Sequence, residues 1–217
     1  MPRYLDIIFS FIALVFLLPL FIPIIIILFF TGENKVFYFQ DRVGYKNKIF
    51  KIFKFATMVQ NSPNIGSGSL TLKNDPRVLP FGSFLRKTKI NELPQIINII
   101  IGDLSIVGPR PQMNVDFQKY SNKVKEKIYN VKPGLTGIGS IVFRDEESLI
   151  SSINNEDPHI FYKRVIAPYK GELEMWYQKK KSIILDFQLI FLTAWVVFFP
   201  DSNLYEQWFE DLPKRRF

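Results

Sequence analysis

The residues best suited to chemistry lie between Leu85 and Pro111, in the stretch LRKTKINELPQIINIIIGDLSIVGPRP. Its basic residues are Arg86, Lys87, Lys89 and Arg110. They stand on either side of the carboxylate Glu92, and Arg110 is held between two prolines in a stiff extended run. Arginine suits bidentate binding of phosphate, and lysine binds phosphate as a point charge. The stretch therefore predicts a phosphate site with Glu92 inside it.

A helix is predicted in the middle of this stretch. Apolar residues recur there at spacings of three and four, as on one buried helix face: Leu93, Ile96, Ile97, Ile100 and Ile101. Asn91 is the predicted N-cap, Pro94 falls in the first turn, and Gly102 ends the helix. A helix N-terminus beside several cations attracts anions. Taken singly, Asn91 could be only a cap, Glu92 only a first-turn acid, and the basic residues only a solvated face.

Four short runs of this stretch are similar to the signature of one protein family. They are Arg86-Lys87-Thr88, Asn91-Glu92-Leu93-Pro94-Gln95, Gly102-Asp103-Leu104-Ser105 and Val107-Gly108-Pro109-Arg110-Pro111. Through them the chain resembles the bacterial sugar transferases known as monotopic phosphoglycosyl transferases. These enzymes move a phosphosugar from a nucleotide diphosphate sugar to a membrane polyprenol phosphate. The family has Asp at the position of Asn91, and the resemblance implies that this Asp is the covalent nucleophile.

Asn91 leaves the route of the transfer open, because a neutral amide oxygen is a feeble nucleophile. Glu92 could take the covalent role, the transfer could be direct in a ternary complex, or this protein could be impaired. Adjacent helical residues point about 100° apart, so Glu92 does not simply occupy the position of Asn91. A catalytically silent membrane adaptor with the same fold is the alternative to an enzyme.

Other runs extend the resemblance along most of the chain. They are Gln40-Asp41-Arg42-Val43-Gly44, Lys54-Phe55-Ala56-Thr57-Met58, Asn74-Asp75-Pro76-Arg77 and Pro133-Gly134-Leu135-Thr136-Gly137. The family has an Arg at the position of Ala56. The resemblance implies phosphate contacts from Lys54 and Arg144, with Arg144 carried over weakly because its flanking residues differ. Asp75 could orient either a metal cation or Arg77.

Two apolar segments predict a membrane protein. From Leu5 to Phe30 the sequence is apolar with Asp6 as its only charge, and a bilayer span needs about 20 residues. Pro19 and Pro23 predict a kink, and the resemblance implies a re-entrant helix with both ends on the cytosolic side. Residues 183–199 are apolar but have lysine or arginine runs on both sides, which favours a helix lying along an anionic surface.

Composition narrows the class of protein. The 217 residues include 22 Phe and 9 Tyr and carry a net charge of +8, which suits an anionic membrane surface or nucleic acid. A nucleic-acid binder would explain only the charge, so nucleic acid is not predicted as a partner. The absence of Cys excludes a disulfide framework and a thiolate zinc site. A single His, His159, excludes a multi-His metal site and is interpreted as a surface or packing residue.

The remaining segments are predicted from local patterns. Residues 36–44 and 50–55 read as strands, and residues 114–130 as one amphipathic surface helix. Residues 60–72 are rich in Gly, Ser and Asn and form a loop, either a mobile lid or an inert surface segment. Between residues 145 and 169 the resemblance thins, and we expect nucleotide or sugar selectivity to be set there.

These observations predict an α+β fold. It has a re-entrant membrane helix over residues 1–31, a catalytic domain with short strands and interfacial helices over 32–200, and a peripheral tail over 201–217. The predicted reaction moves a phosphosugar from a nucleotide diphosphate sugar, a UDP-sugar by preference, to polyprenol phosphate at the cytoplasmic face of a bacterial inner membrane. Mg²⁺ is the predicted cofactor, with Glu92 and Asp75 as its ligands. The lipid bilayer is a predicted partner, and a homodimer is left open.

Overall fold

A computed structural model describes residues 1–217 except residues 32, 67, 69, 154 and 155. It begins with one long helix, α1 (Arg3–Thr31), that continues through both Pro19 and Pro23. Among the described residues, this helix alone is long and apolar enough to cross a membrane, with a mean hydropathy of 3.2. Most of its large apolar side chains are exposed, as expected of a segment that lies in lipid.

The first turns of α1 are bound to the domain through polar contacts. The Arg3 guanidinium donates to the carbonyls of Ile99 and Ile100. The Asp6 side chain is 2% exposed, and its Oδ1 accepts hydrogen bonds from Ser105 Oγ at 3.0 Å and from Ile106 N at 2.9 Å. The only charge inside the apolar segment is therefore an internal acceptor for the catalytic domain.

The second half of α1 packs on the domain through apolar contacts. Phe21, Ile24 and Leu28 form a buried cluster with Phe55 and Leu85. The Phe21 and Phe55 rings meet edge to face with centroids 5.3 Å apart. Both halves of the helix thus contact the same domain.

The predicted strands at the start of the domain form an antiparallel hairpin. β1 (Phe37–Val43) pairs with β2 (Ile49–Phe55) in a register that places Phe37 opposite Phe55 and Val43 opposite Ile49. Asn98 fixes the outer edge of β2, because its Nδ2 donates to Lys51 O and its Oδ1 accepts from Phe53 N. The strand predicted over residues 50–55 is confirmed, and its two lysines differ: Lys51 is exposed and Lys54 is half-buried.

The helix predicted to start at Asn91 begins later, so its assignment as an N-cap is wrong. After α2 (Pro80–Lys87), residues Ile90–Glu92 form a single 3-10 turn, and α3 spans Gln95–Ile101. Pro94 has no N–H to donate to the carbonyl of residue 90, and that carbonyl instead accepts from Leu93 N at 3.1 Å, as in a 3-10 turn. Gly102 ends α3 with φ of +103°, as predicted.

A two-stranded parallel sheet lies behind α3. β3 (Ser105–Val107) pairs with β4 (Gly134–Thr136). The backbones of the two strands approach each other closely where β3 ends. A Cβ atom on Gly134 would lie only 2.1 Å from the backbone nitrogen of Gly108. Glycine is therefore required at this contact, which aligns the run that carries Arg110.

The predicted single helix over residues 114–130 is wrong. Two short helices, α4 (Asn114–Phe117) and α5 (Asn122–Lys127), occupy this segment. They are separated because Ser121 is extended, with φ of −62° and ψ of 155°. Phe117, Tyr120, Ile128 and Tyr129 are still buried in the core, whereas Val115 is exposed. The Phe117 and Tyr129 rings stack there with centroids 5.6 Å apart.

The remaining helices enclose the main core. They are α6 (Ile138–Val142), α7 (Glu146–Ser151), α8 (Pro158–Phe161), α9 (Ala167–Lys180), α10 (Ile183–Phe198) and α11 (Leu204–Trp208). A π-helical turn, Tyr162–Ile166, joins α8 to α9. The observed helices and short strands confirm the predicted α+β class.

Helix α10 and the C-terminal segment pack against this core. Leu189 and Leu192 on α10 are fully buried, whereas Ile184 and Phe198 are more than 70% exposed. Beyond α11, Phe209 and Leu212 are buried in the core, and Phe217 packs near Phe143, Phe161 and Tyr169. The segment predicted as a peripheral tail therefore lies against the domain.

Candidate functional site

One large cavity of about 710 Å³ opens between the β1–β2 hairpin, the loop after β2, the 3-10 turn and helices α4, α7 and α9. A volume of this size suits a small organic ligand. Eight of the described residues that line it are cationic: Lys35, Arg42, Lys54, Arg77, Arg86, Lys89, Arg110 and Lys170. The concentration of positive charge favours an anionic ligand such as a diphosphate.

Glu92 is the carboxylate at the centre of these cations. Its Oε1 accepts hydrogen bonds from Lys54 Nζ at 3.0 Å and from Arg110 Nη2 at 3.1 Å. Burial alone would raise the pKa of Glu92, but Lys54, Arg110 and Lys89 hold it well below its ordinary value. Glu92 is therefore ionised, and it fixes the two cations that flank it.

The same environment weakens the charge of Lys54. Burial lowers the pKa of Lys54 to about 8, although the neighbouring Glu92 carboxylate opposes this effect. Burial also lowers the pKa of Lys89. Lys54 is therefore the cation of this site whose protonation changes near neutral pH.

Arg110 is positioned through its own backbone. The hydroxyl of Tyr129 donates to Arg110 O at 2.9 Å, and Arg110 N donates to Glu174 Oε1 at 3.3 Å. Burial raises the pKa of Glu174 to about 8, so this carboxyl carries a proton at neutral pH. Glu174 thus contacts the backbone of Arg110, whereas Glu92 contacts its guanidinium and raises the pKa of Arg110.

Asn91 lies beside Glu92 and lines the cavity. It is 5% exposed, and its Oδ1 has no hydrogen-bond partner within the part of the chain that the structure describes. A buried acceptor without a partner is costly, and such atoms are often completed by an ion, a water or a ligand. The amide oxygen is therefore available to a bound group.

The other predicted phosphate ligands differ in their positions. Arg86 lines the cavity and pairs with Glu147 at 2.7 Å on its outer rim. Lys87, one residue later, is exposed, and Arg144 is half-buried with a pKa that burial lowers. Neither Lys87 nor Arg144 lies among the described residues that line the cavity. The structure thus brings together Lys54, Arg86 and Arg110.

Asp75 forms an ion pair with Arg77 in this structure. Asp75 Oδ1 accepts from Arg77 N and Nε, and Asp75 Oδ2 accepts from Arg77 Nη2 at 2.6 Å. Asp75 lies outside the cavity lining that the structure describes. Of the two predicted roles for Asp75, its geometry supports the orientation of Arg77, and a metal at Asp75 would have to displace that guanidinium.

Arg77 in turn holds the Gly-rich loop predicted as a lid. Its guanidinium donates to the backbone carbonyls of Ser62, Ile65, Gly68 and Leu70. Ser62, Gly68 and Leu70 also line the cavity. The described part of the loop is therefore a wall of the cavity, tied to the domain by one buried ion pair.

Sequence reasoning missed several lining residues. Arg42 donates to Pro111 O at 3.1 Å and to Gln40 Oε1, which joins the β1 strand to the Arg110 run. The Gln-x-Arg-x-Gly motif was the available signal for Arg42. Glu146, Tyr162 and Lys170 also line the cavity. Glu146 and Tyr162 lie in the segment 145–169 where selectivity was expected, but no motif pointed to them individually.

The chain belongs to the bacterial sugar transferase family, because the family model described as Bacterial sugar transferase matches residues 1–200. It is 33% identical over 165 residues to the exopolysaccharide production protein ExoY of Sinorhizobium fredii, covering 70% of this chain and 73% of that protein. It is 35% identical over 192 residues to the UDP-glucose:undecaprenyl-phosphate glucose-1-phosphate transferase of Xanthomonas campestris, covering 87% of this chain. It is also 29% identical to the undecaprenyl-phosphate galactose phosphotransferase of Salmonella typhimurium.

The relatives differ in length. This chain spans 37% of the Xanthomonas protein and 40% of the Salmonella protein. The family model, over residues 1–200, covers both the long apolar helix and the residues that line the cavity. The family assignment confirms the resemblance inferred from the sequence motifs.

Proposed function

We propose that this protein transfers a sugar phosphate from a nucleotide diphosphate sugar to a polyprenol phosphate. The product, a polyprenol diphosphate sugar, is the first lipid-linked intermediate of a polysaccharide. The observation that carries the proposal is Glu92, an ionised carboxylate that fixes Lys54 and Arg110 at the floor of a large cavity. UDP-sugars are the preferred donors, because the names of the relatives specify them.

The cations suit the charge changes of this reaction. Phosphoryl transfer depends mainly on positioning and on stabilisation of charge on the phosphate oxygens. Lys54 and Arg110 bind the phosphate that is transferred, and Arg86 at the rim binds the second phosphate or the lipid phosphate. Glu92 keeps the two inner cations at a fixed separation before the donor arrives.

Asn91 favours direct transfer. Its neutral amide cannot form the phosphoenzyme that an Asp would form, and Glu92 is engaged by two cations, which reduces its nucleophilicity. An oxygen of the polyprenol phosphate therefore attacks the sugar-bearing phosphorus. A new P–O bond to the lipid forms as the bond to the nucleoside phosphate oxygen breaks, and nucleoside monophosphate leaves with that electron pair. No proton transfer is required.

Mg²⁺ fits the residues at this site when substrate phosphates complete its ligands. The described residues contain no group of three or more His, Cys, Asp or Glu that could hold a metal by themselves. Mg²⁺ is commonly bound by one or two carboxylates together with substrate phosphates. Glu92 and the unpartnered Oδ1 of Asn91 would supply the protein ligands. When bound, the ion would neutralise charge on the diphosphate of the donor.

The location proposed for the protein is the cytoplasmic face of the inner membrane. Helix α1 contacts the domain through Arg3 and Asp6 at one end and through Phe21 and Leu28 further along. A re-entrant helix with both ends on one side accounts for these contacts. The exposed apolar face of α10 lies beside α1, where the Phe9 and Phe187 rings are 6.1 Å apart, and it suits an interfacial position.

The test is a reaction of the purified full chain with a panel of UDP-sugars, polyprenol phosphate and Mg²⁺. The expected result is release of UMP and formation of polyprenol diphosphate sugar, both dependent on the lipid acceptor. Binding of the lipid phosphate without release of nucleoside monophosphate from any donor would instead indicate a catalytically silent adaptor.

A further inference from the structure

The cavity has a second side that the phosphate chemistry does not use. Besides Lys54 and Arg110, the cavity is lined by a set of side chains that we call the polar wall, formed by Glu146, Tyr162 and Lys170. The charges of Glu146 and Lys170 offset each other, so this pair offers a diphosphate no net positive charge. A neutral group with several hydroxyls would instead donate to Glu146 and accept from Lys170 and Tyr162.

The polar wall is held in place before any ligand binds. Lys170 Nζ lies 2.7 Å from both carboxylate oxygens of Glu146 and 3.4 Å from the Tyr162 hydroxyl. Tyr162 is 2% exposed and Lys170 is 4% exposed. Two ammonium groups, those of Lys119 and Lys170, lie 4.6 Å and 5.2 Å from the centre of the Tyr162 ring. Such preorganisation reduces the cost of binding.

The π-helical turn explains how Tyr162 and Lys170 come together. Eight residues separate them, and in a regular α-helix with 3.6 residues per turn they would point about 80° apart. The π-turn at Tyr162–Ile166 has more residues per turn than an α-helix, so each residue rotates less about the helix axis. This brings the side chains of Tyr162 and Lys170 to one face. π-turns of this kind are often found at functional sites.

The polar wall lies within electrostatic reach of the phosphate-binding cations. Glu146 and the Tyr162 phenol both act to raise the pKa of Arg110. In a nucleotide sugar the ring that is transferred is bonded directly to the phosphate under attack, whereas the base is separated from it by a second phosphate and a ribose. If Arg110 binds the attacked phosphate, the group nearest Glu146 and Tyr162 is the sugar.

We propose that Glu146, Tyr162 and Lys170 form the subsite for the transferred sugar and determine which sugar is accepted. This inference rests on the proposed transferase function and extends it to substrate specificity. Glu146 accepts hydrogen bonds from sugar hydroxyls, and Tyr162 and Lys170 donate to ring substituents. A substituent of different size or stereochemistry would lose its hydrogen bonds to these groups, which discriminates between sugars.

The test compares binding of UDP-sugars with binding of UDP to the full chain in Mg²⁺ without lipid acceptor, measured by titration calorimetry. Tyr162→Phe and Glu146→Gln should each weaken binding of the preferred UDP-sugar by about tenfold or more, with UDP affinity unchanged within about twofold. The preference among UDP-glucose, UDP-galactose and their N-acetylamino forms should also change. Glu156→Gln, which removes a carboxylate paired with Arg164 outside the cavity, is the matched control and should change neither affinity.

Two results would overturn the inference. Equal losses for UDP and UDP-sugar would assign the polar wall to the nucleotide or to folding. Unchanged affinity for both ligands, in variants of a wild-type chain that releases UMP, would remove the polar wall from the site while the transferase function stands. A wild-type chain that binds no UDP-sugar and releases no UMP would reject both proposals together.

Discussion

Lys54 Nζ and Glu92 Oε1 are 3.0 Å apart, although 38 residues separate them in the sequence. β2 carries Lys54 and the 3-10 turn carries Glu92, so the pair joins the hairpin to the segment that precedes α3. Neither partner has its ordinary pKa, since burial lowers that of Lys54 and the surrounding cations lower that of Glu92. The charge of the site therefore depends on pH.

The pKa of Lys54 predicts a loss of activity at alkaline pH. With a pKa of about 8, Lys54 is protonated below that pH and loses its charge as the pH rises through it. Turnover should therefore fall above about pH 8 as phosphate binding weakens. In Lys54→Met turnover should be low at every pH and this alkaline limb should vanish. Lys51→Met, an exposed lysine on the same strand, is the control and should keep the wild-type profile. An unchanged alkaline limb in Lys54→Met would assign it to another group.

Arg110 and Arg86 should both bind phosphate but with unequal effect. Arg110 contacts Glu92 inside the site, whereas Arg86 pairs with an exposed Glu147 at the rim. We expect Arg110→Ala to reduce turnover by about a hundredfold or more and Arg86→Ala by more than about tenfold. Steady-state UMP release measures both. Lys87→Ala, next to Arg86 and exposed, should be close to wild type. Near-normal turnover in both arginine variants would assign these residues to structure.

Asn91 predicts the absence of a covalent intermediate. With donor and Mg²⁺ alone, mass spectrometry of the native chain should show no phosphosugar adduct. Asn91→Asp should form one, because it places a charged nucleophile beside Glu92, and its turnover should equal or exceed that of the native chain. Glu92→Gln should abolish activity, since Lys54 and Arg110 lose their shared anchor. An adduct on native Glu92 would show instead that this carboxylate is the nucleophile.

The Asp75–Arg77 pair should stabilise the fold and the loop over the cavity. Asp75→Ala leaves a buried guanidinium without its carboxylate and should reduce the free energy of unfolding by about 3–5 kcal/mol. Proteolysis of residues 60–72 should become faster. Hydrogen bonds from Arg77 lower the pKa of Asp75, so this contribution is present above its unfolded pKa and is lost as the pH falls through the lower folded value. Wild-type stability and proteolysis rates in Asp75→Ala would contradict this role.

The arrangement of α1 predicts a single-sided topology. The native chain has no Cys, so a cysteine introduced as Pro2→Cys reports its own side of the membrane. It should react with an impermeant maleimide only from the cytoplasmic side. Phe16→Cys, at a position that is 79% exposed in the helix, should resist labelling from both sides because lipid covers it. Labelling of position 2 from the periplasm would show that the helix crosses the membrane.

Much of the fold followed from local patterns in the sequence. The alternation in β2, the turn at Gly44 and the long apolar run of α1 each depend on neighbouring residues. The start of α3 did not follow, because the 3-10 turn that begins after the left-handed Lys89, with φ of +61°, extends past Asn91, and α3 begins only after Pro94. An extended Ser121 divided the next predicted helix.

The site residues that could be predicted are those that lie in sequence motifs. Lys54, Arg86, Glu92 and Arg110 lie in short runs and were expected to meet. Tyr162 and Lys170 were not expected, since their meeting depends on a π-turn that leaves no mark in hydrophobic periodicity. The partner of Asp75 could not be chosen from the sequence. Only the folded structure shows that Arg77 donates hydrogen bonds to both of its carboxylate oxygens.

The contacts of α1 bear on how this protein can be made. A fragment that begins after this helix would leave the Ser105 hydroxyl and the Ile106 N–H without the acceptor that Asp6 provides. It would also expose Phe55 and Leu85 to water. Trimming the apolar segment to obtain a soluble enzyme would therefore damage the domain it was meant to release. During biosynthesis, the domain can reach its final packing only after this helix has docked against it.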